Sequence, residues 1–267
     1  MSFSITSHWH LITNTRKALL ALSKLNPRLV RCSSYQYPLN QSWVNKIKVL
    51  TGNGFNVLPI CGSDSFMKLS FQEWERYVKS FAVSINGCQY TQVLNEVNTK
   101  IFAGAPPNSA LAFDYFYRAV KIIKDKNPNI KIVAPGLTCE NKSDNKTKIA
   151  APEFLSDWFK LGAEKIIDVF PMHFYDTDYK QRKTLATCIK LIKAKAPGKP
   201  IAITETGSGN PKNQIEWYKK IKGGIYGITG GYVFYYCLNG HKEPNKDFNI
   251  LNDNCDPNPI FYEMIKR

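Results

Sequence analysis

The chain has 267 residues, 43% of them hydrophobic and 13% aromatic, enough for one large core and consistent with a single domain over residues 1–267. Its formal charge of +15 lies mostly on lysines spread over predicted helices, such as Lys121, Lys124 and Lys126 or Lys190, Lys193 and Lys195. No basic stripe interleaves with stacking aromatics, which argues against nucleic acid as a partner, and the longest uncharged stretch, 223–240, is broken by glycines and too short to span a membrane.

In chain order, the opening MSFSITSHWHLITNTRK lacks a basic start, an apolar run and a small-residue cleavage site. The expectation is a monomer that is cytoplasmic at synthesis, with release or association with a virion as routes to an outside substrate. Short apolar runs rich in β-branched and aromatic residues follow at 3–6, 28–33, 56–61, 89–94, 131–135, 166–173, 200–205 and 231–237. Helical periodicity fills the intervals at 14–25, 40–52, 70–86, 108–127, 151–161, 178–196, 212–223 and 257–266. Asn26-Pro27, Asn127-Pro128 and Ala196-Pro197-Gly198 each stop a helix just before a strand. The third helix carries one apolar face, with Phe71, Trp74, Val78, Phe81 and Ile85. Trp43, Trp74, Trp158 and Trp217 fall inside helices and are expected in the core. The polar loop 138–147, TCENKSDNKT, is expected to be mobile.

Eight strands alternating with eight helices predict parallel βα units closed into a (β/α)8 TIM barrel. An open, doubly wound sheet is the alternative, but no GxGxxG follows the first strand and no phosphate-binding loop occurs. Seven cysteines, at 32, 61, 88, 139, 188, 237 and 255, form no CxxC pair and read as free buried thiols. His8 and His10 flank Trp9 without a third ligand at a metal-site spacing, so neither a metal nor another cofactor is expected.

In a parallel barrel the carboxyl ends of all strands converge on one mouth. Two glutamates end predicted strands there: Glu96 after the fourth and Glu205 after the seventh. Paired carboxylates facing one cleft suit glycoside hydrolysis, in which one protonates the leaving oxygen while the other attacks the anomeric carbon or directs water to it. Period-two alternation puts His173 and Tyr175 on one side of the sixth strand. Trp9 is a candidate sugar-stacking platform, and Tyr35, Tyr37 and Phe102 lie in predicted mouth loops.

These phrases resemble the clan A glycoside hydrolases, retaining (β/α)8 barrels that include cellulase-like family 5 and family 39-like enzymes. The clan's Asn-Glu matches Asn95-Glu96, which implies Glu96 as acid/base and Asn95 as a donor to the sugar 2-hydroxyl. KPIAITETG is similar to the clan's seventh strand and implies Glu205 as nucleophile; His173 and Tyr175 match its His-x-Tyr, and Arg31 its second-strand arginine. The sequence departs from the pattern twice. The eighth strand, GYVFYYCLNG, has no tryptophan, leaving Tyr235 or Tyr236 as substitute platforms, and Val97 replaces a common proline.

On this basis Tyr175 would donate to Glu205 and Arg31 would place a positive charge beside it, keeping Glu205 ionised. The nearby anionic Glu205 would in turn raise the pKa of Glu96. The implied activity is retaining hydrolysis of a polysaccharide or oligosaccharide, with short loops favouring internal cleavage. The competing readings are a catalytically inactive carbohydrate-binding barrel serving attachment or structure, and an enzyme whose +15 charge serves an anionic polysaccharide.

Overall fold

The computed structural model describes residues 3–7, 12, 14–33, 39–62, 65–144, 146–175, 179–208, 210, 213–224, 233–238 and 248–266. Parallel strands alternate with helices along this chain: β1 (Ser4–Ser7), α1 (Thr15–Leu25), β2 (Val30–Ser33), α2 (Gln41–Gly52), β3 (Val57–Cys61), α3 (Phe71–Ser84) and β4 (Tyr90–Val93). Next come α4 (Lys100–Ala103), α5 (Ser109–Lys126), β5 (Lys131–Val133), β6 (Leu137–Thr138), α6 (Ala151–Lys160) and β7 (Phe170–His173). The last elements are α7 (Tyr179–Lys195), β8 (Ile201–Thr206), α8 (Gln214–Gly224), β9 (Val233–Tyr236) and α9 (Pro259–Ile265).

The sheet order is β5-β4-β3-β2-β1-β9-β8-β7-β6. β5 and β6 are two parts of one barrel stave: β5 pairs with β4, β6 pairs with β7, and Val133 bridges in parallel to Val169. The (β/α)8 barrel expected from the sequence is thereby closed. Two departures occur on this side. The fifth stave is interrupted between its two pairings, and most of the expected strand start at 166–169 is absent: a 3-10 turn at Ala163–Lys165 precedes Val169.

Side-chain chemistry sets the helix limits. Asn14, Asn40 and Asn108 cap α1, α2 and α5 by accepting from the backbone N–H of Lys17, Ser42 and Leu111. Ser70 and Glu73 form a reciprocal capping box at the start of α3. At the other end of α1, Asn26 turns left-handed with φ 46° and its N–H returns to Leu22 O, so the chain leaves the helix at Asn26-Pro27 as expected.

Two apolar layers follow from strand alternation. Leu29, Leu58, Val133, Val169, Ala202 and Phe234 fill the barrel's inside, with Tyr90 against them. The neighbours along the strands, such as Ile5, Val30, Val57, Val93, Ile203 and Val233, point outward into the larger core beneath the helices. Trp43, Trp74, Trp158 and Trp217 are buried in that outer layer, and the cysteines are free thiols, all buried except the half-buried Cys88. No helix among the described residues is long and apolar enough to cross a membrane.

The described residues of the loop 138–147 are joined by hydrogen bonds to one another and to α6. The Asp144 carboxylate accepts from the N–H groups of Lys146, Thr147 and Lys148 and from the Thr147 hydroxyl, and these bonds pull its pKa far below the ordinary carboxylate range. Ser143 is tied to Glu153 and Ala150, and Lys148 to Glu140.

The end of β3 braces the end of β4. Gly62 has φ 74°, and a Cβ added there would lie 2.6 Å from the indole of Trp74 and 3.4 Å from Leu94. Gly62→Ala combines a left-handed non-glycine residue with a clash against a buried ring, so a loss of about 3 kcal/mol is expected, read from the urea midpoint at constant m-value.

Candidate active site

The site lies where β2, β4, β7 and β8 end. Leu29 and Arg31 point inward from β2, with Leu29 in the apolar floor and Arg31 directly above it, fully buried. Burying a guanidinium requires partners for its donors. They are Gln92 Oε1 at 2.8 Å from Nε, Glu205 Oε1 at 2.6 Å from Nη1 and Asn95 Oδ1 at 2.7 Å from Nη2.

Regular strands show only alternate residues to the inside, so Asn95-Glu96 needs a special turn. Leu94 and Glu96 both adopt left-handed φ, 65° and 43°, uncommon for residues with a Cβ. The turn is held by Leu94 N–H to Cys61 O, Glu96 N–H to Gly136 O and Thr99 N–H to Glu96 O, with the Thr99 hydroxyl donating to the same oxygen. β8 has its own irregularity. Met172 pairs with Ile203 but His173 with Glu205, and Ile203 pairs with Val233 but Thr206 with Tyr235. Thr204 is therefore an extra residue against both neighbouring strands, a bulge that re-aims Glu205 toward the mouth.

The two carboxyl groups meet around His173. Its Nδ1 lies 2.5 Å from Glu96 Oε1 and 3.5 Å from Glu205 Oε2. The Tyr175 hydroxyl donates to Glu205 Oε2 at 2.8 Å. Glu96 and Glu205 are each 7% exposed, at the boundary between the dry interior and the mouth.

Their protonation is driven apart. Burial is the largest influence on both and raises both. At Glu205 it is outweighed by the neighbouring His173 ring, the Arg31 guanidinium and the hydrogen bonds from Tyr175 and Arg31, and the carboxyl is held below its ordinary 4.5. At Glu96 burial prevails, aided by the charge of Glu205 and opposed by the His173 contact, and the carboxyl rises above its ordinary 4.5. The expected direction holds for both, but the main cause at Glu96 is desolvation rather than the proximity of Glu205. Burial and the charge of Glu205 push the Tyr175 phenol well up, so it remains a donor.

The sequence candidates do not all stand at the mouth. Arg31 is fully buried beneath the carboxylates with each of its three nitrogens bonded, and it connects to the mouth by way of Glu205 and Asn95. Asn95 Oδ1 accepts from both Arg31 and Gln92 Nε2, which fixes the amide and turns Nδ2 away from them as the remaining donor. Tyr235 is not a platform. It faces outward, 2% exposed, against Tyr218 and the Gln214 carbonyl. Tyr236 faces inward, packing edge-on against Tyr175 and Phe248. Phe102 is half-buried on α4, while His8, Trp9, His10, Tyr35 and Tyr37 lie outside the described residues.

Several contributors had no recognised role in the sequence. Gln92 links Arg31 to Asn95 and also donates to Leu94 O; its signal was a polar residue two places after the inward Tyr90. Gly136, Thr204 and Phe248 carried no signal. Glu96, His173 and Glu205 each direct one potential ligand atom to within 4.8 Å of the others, a spacing a cation could use. The guanidinium 2.6 Å from Glu205 already supplies positive charge there, which disfavours a second cation.

Removing Arg31 leaves Glu205 buried without its main cation. Arg31→Ala is expected to lower stability by about 3–5 kcal/mol. The loss should be markedly smaller in a Glu205→Gln background, and denaturant curves of the four proteins in this double-mutant cycle check it.

Residues 33–223 match the family described as glycosyl hydrolase catalytic core. No curated protein sequence matches the chain. Among solved structures, Bacteroides uniformis β-glucuronidase 2, covalently bound to cyclophellitol-6-carboxylate aziridine, superposes with TM-score 0.65 at 12% identity over 98% of this chain and 34% of that one. The chain thus spans about a third of that protein. The family 1 β-glucosidase of Thermotoga maritima gives TM-score 0.63 at 14% identity, over 94% of this chain and 84% of that one. A family 128 (subgroup I) endo-β-1,3-glucanase from Amycolatopsis mediterranei, in complex with laminaritriose, gives 0.60 at 12% identity, over 99% and 97%. At these identities the structural likeness is one of fold, but the profile match covers more than half of the sequence and encloses both inward-facing glutamates, so the chain belongs to the glycosyl hydrolase catalytic-core family.

Proposed function

We propose that this chain is a retaining glycoside hydrolase that cleaves O-glycosidic bonds in a polysaccharide or oligosaccharide by double displacement. The observation that carries the reading is the pair of buried carboxyls with oxygens within 4.8 Å, one held ionised and the other with its pKa raised. Retaining enzymes place their carboxyl groups about 5–5.5 Å apart, while inverting enzymes leave roughly 6.5–9.5 Å for a water.

In this reading Glu205 attacks the anomeric carbon, forming a glycosyl ester, as Glu96 passes its proton to the departing oxygen. Esterification removes the charge of Glu205, the Glu96 pKa falls, and Glu96 then takes a proton from the water that cleaves the ester. Tyr175 and Arg31 hold Glu205 in place before and after. Asn95 Nδ2 is the donor for the sugar 2-hydroxyl, and Tyr236 an aromatic wall of the mouth.

Laminarin and laminari-oligosaccharides are the first substrates to test, because a fold neighbour of matching length is an endo-β-1,3-glucanase in complex with laminaritriose. The panel extends to other neutral and acidic polysaccharides, with the +15 charge as the reason for the acidic ones. New reducing ends are expected, with the first-formed anomer, read by proton NMR, matching the configuration of the bond cleaved. The opposite anomer overturns retention. Binding without new ends would instead identify a carbohydrate-binding barrel.

Glu205→Gln is expected to reduce kcat by at least about 10⁴-fold, and Glu96→Gln by about 10²–10⁴-fold on substrates with poor leaving groups. Activity needs Glu205 ionised and Glu96 protonated. The kcat/KM profile should therefore rise through the lowered pKa of Glu205, below the ordinary 4.5, and fall as pH passes the raised pKa of Glu96 above 4.5. Glu96→Gln should remove the alkaline limb.

A further inference from the structure

Among the described residues the His173 ring is bonded on one side only: Nδ1 faces the two carboxyls, while Nε2 is buried with no hydrogen-bond partner. Gly136 fills the space at that edge: a Cβ built on it would stand 2.1 Å from Nε2, 2.5 Å from Cδ2 and 2.9 Å from Thr204 Oγ1. Thr204 Oγ1 is also without a partner among the described residues, so it accepts nothing from the ring. The backbone of Gly136 is not left-handed, and its requirement for glycine is therefore one of space. Its carbonyl accepts the N–H of Glu96 at 2.9 Å, so one residue both anchors the backbone of Glu96 and backs the ring that touches its side chain.

An imidazole can carry hydrogen on Nδ1, on Nε2 or on both. The second and third forms aim an N–H at the Gly136 α-carbon with no acceptor, which the interior disfavours. Charge points the same way. The groups facing the ring or its carboxyl partners are Glu96 after β4, Glu205 on β8, Tyr175 after β7 and Arg31 on β2. With Glu96 protonated and Tyr175 neutral, Arg31 and Glu205 balance, and an imidazolium would leave one buried positive charge uncompensated.

We infer that His173 is a positioning residue for Glu96: confined by Gly136 to the neutral Nδ1–H form, it donates to Oε1 and leaves Oε2 as the oxygen that carries the transferable proton. This rests on the reading of Glu96 as the general acid. The proton on Oε2 goes to the departing glycosidic oxygen, and Oε2 later receives one from the attacking water. His173 keeps its own proton throughout, so the carboxyl presents the same oxygen in both steps.

The chain has four histidines, so nitrogen-15 NMR of histidine-labelled, substrate-free protein resolves His173 by difference from His173→Asn. The expected result is hydrogen on Nδ1 and a bare Nε2; hydrogen on Nε2, alone or together with Nδ1, overturns the inference. Asparagine places an N–H donor where Nδ1 stands and glutamine where Nε2 stands. His173→Asn is therefore expected to keep kcat/KM within about tenfold on poor leaving groups while His173→Gln loses about 100-fold, with the gap closing on dinitrophenyl glycosides that need no protonation. Equal losses in both variants overturn the inference, as does a gap of the same size on the activated glycosides. Hydrogen on Nε2 in an active enzyme sinks this inference alone, whereas hydrogen on Nδ1 in a chain that cleaves nothing on the panel sinks the hydrolase reading.

Discussion

Arg31 is the constraint on which the site is built. A guanidinium above an apolar floor of Leu58, Val133, Val169, Ala202 and Phe234 has little water to turn to, and leaving it unpaired there would cost several kcal/mol. Its planar fork accepts partners only in fixed directions. Gln92, Asn95 and Glu205 occupy those directions, so one side chain on β2 sets the relative positions of groups from β4 and β8. The apolar floor and the polar mouth depend on each other: the dryness below gives the charge its organising strength.

The same cation makes two glutamates of equal exposure unequal. Glu205 receives Arg31 directly and Tyr175 on its other oxygen, while the hydrogen-bond partner of the Glu96 carboxyl among the described residues is His173. Burial acts on both, so the difference in bonded donors decides which becomes the anion. The anion then raises its neighbour. Opposite shifts in protonation come from the surroundings of the two side chains, which are chemically identical.

What the sequence disclosed was whatever regular geometry governs. The order of strands, the asparagine caps, the proline stops and the arrival of Glu96 and Glu205 at one mouth all follow from local pattern and from the parallel sense of the barrel. What it concealed depends on register or solvent access. VFYY offers two adjacent tyrosines, and only pairing with β1 and β8 shows that Tyr236 faces in and Tyr235 out. Desolvation of Glu96 cannot be read from its neighbours in the chain, whereas the proximity of Glu205 follows from the strand order. Gly136 lies in the run KIVAPGLT, where its role against His173 exists only once β6 pairs with β7.

The irregular backbone is gathered at the mouth for a geometric reason. A strand with strict alternation can aim every second residue at the cleft, yet both halves of this site use consecutive ones, Asn95 with Glu96 and Thr204 with Glu205. Left-handed Leu94 and Glu96 achieve this after β4, and the extra residue Thr204 achieves it in β8. Left-handed conformations cost on the order of 1–3 kcal/mol each, and they persist because hydrogen bonds to Cys61, Gly136 and Thr99 hold the turn. A barrel of ideal strands with the same residues would lose one member of each pair to the outer layer. The departures from regularity are therefore what bring two acids and an amide together with a histidine at one mouth.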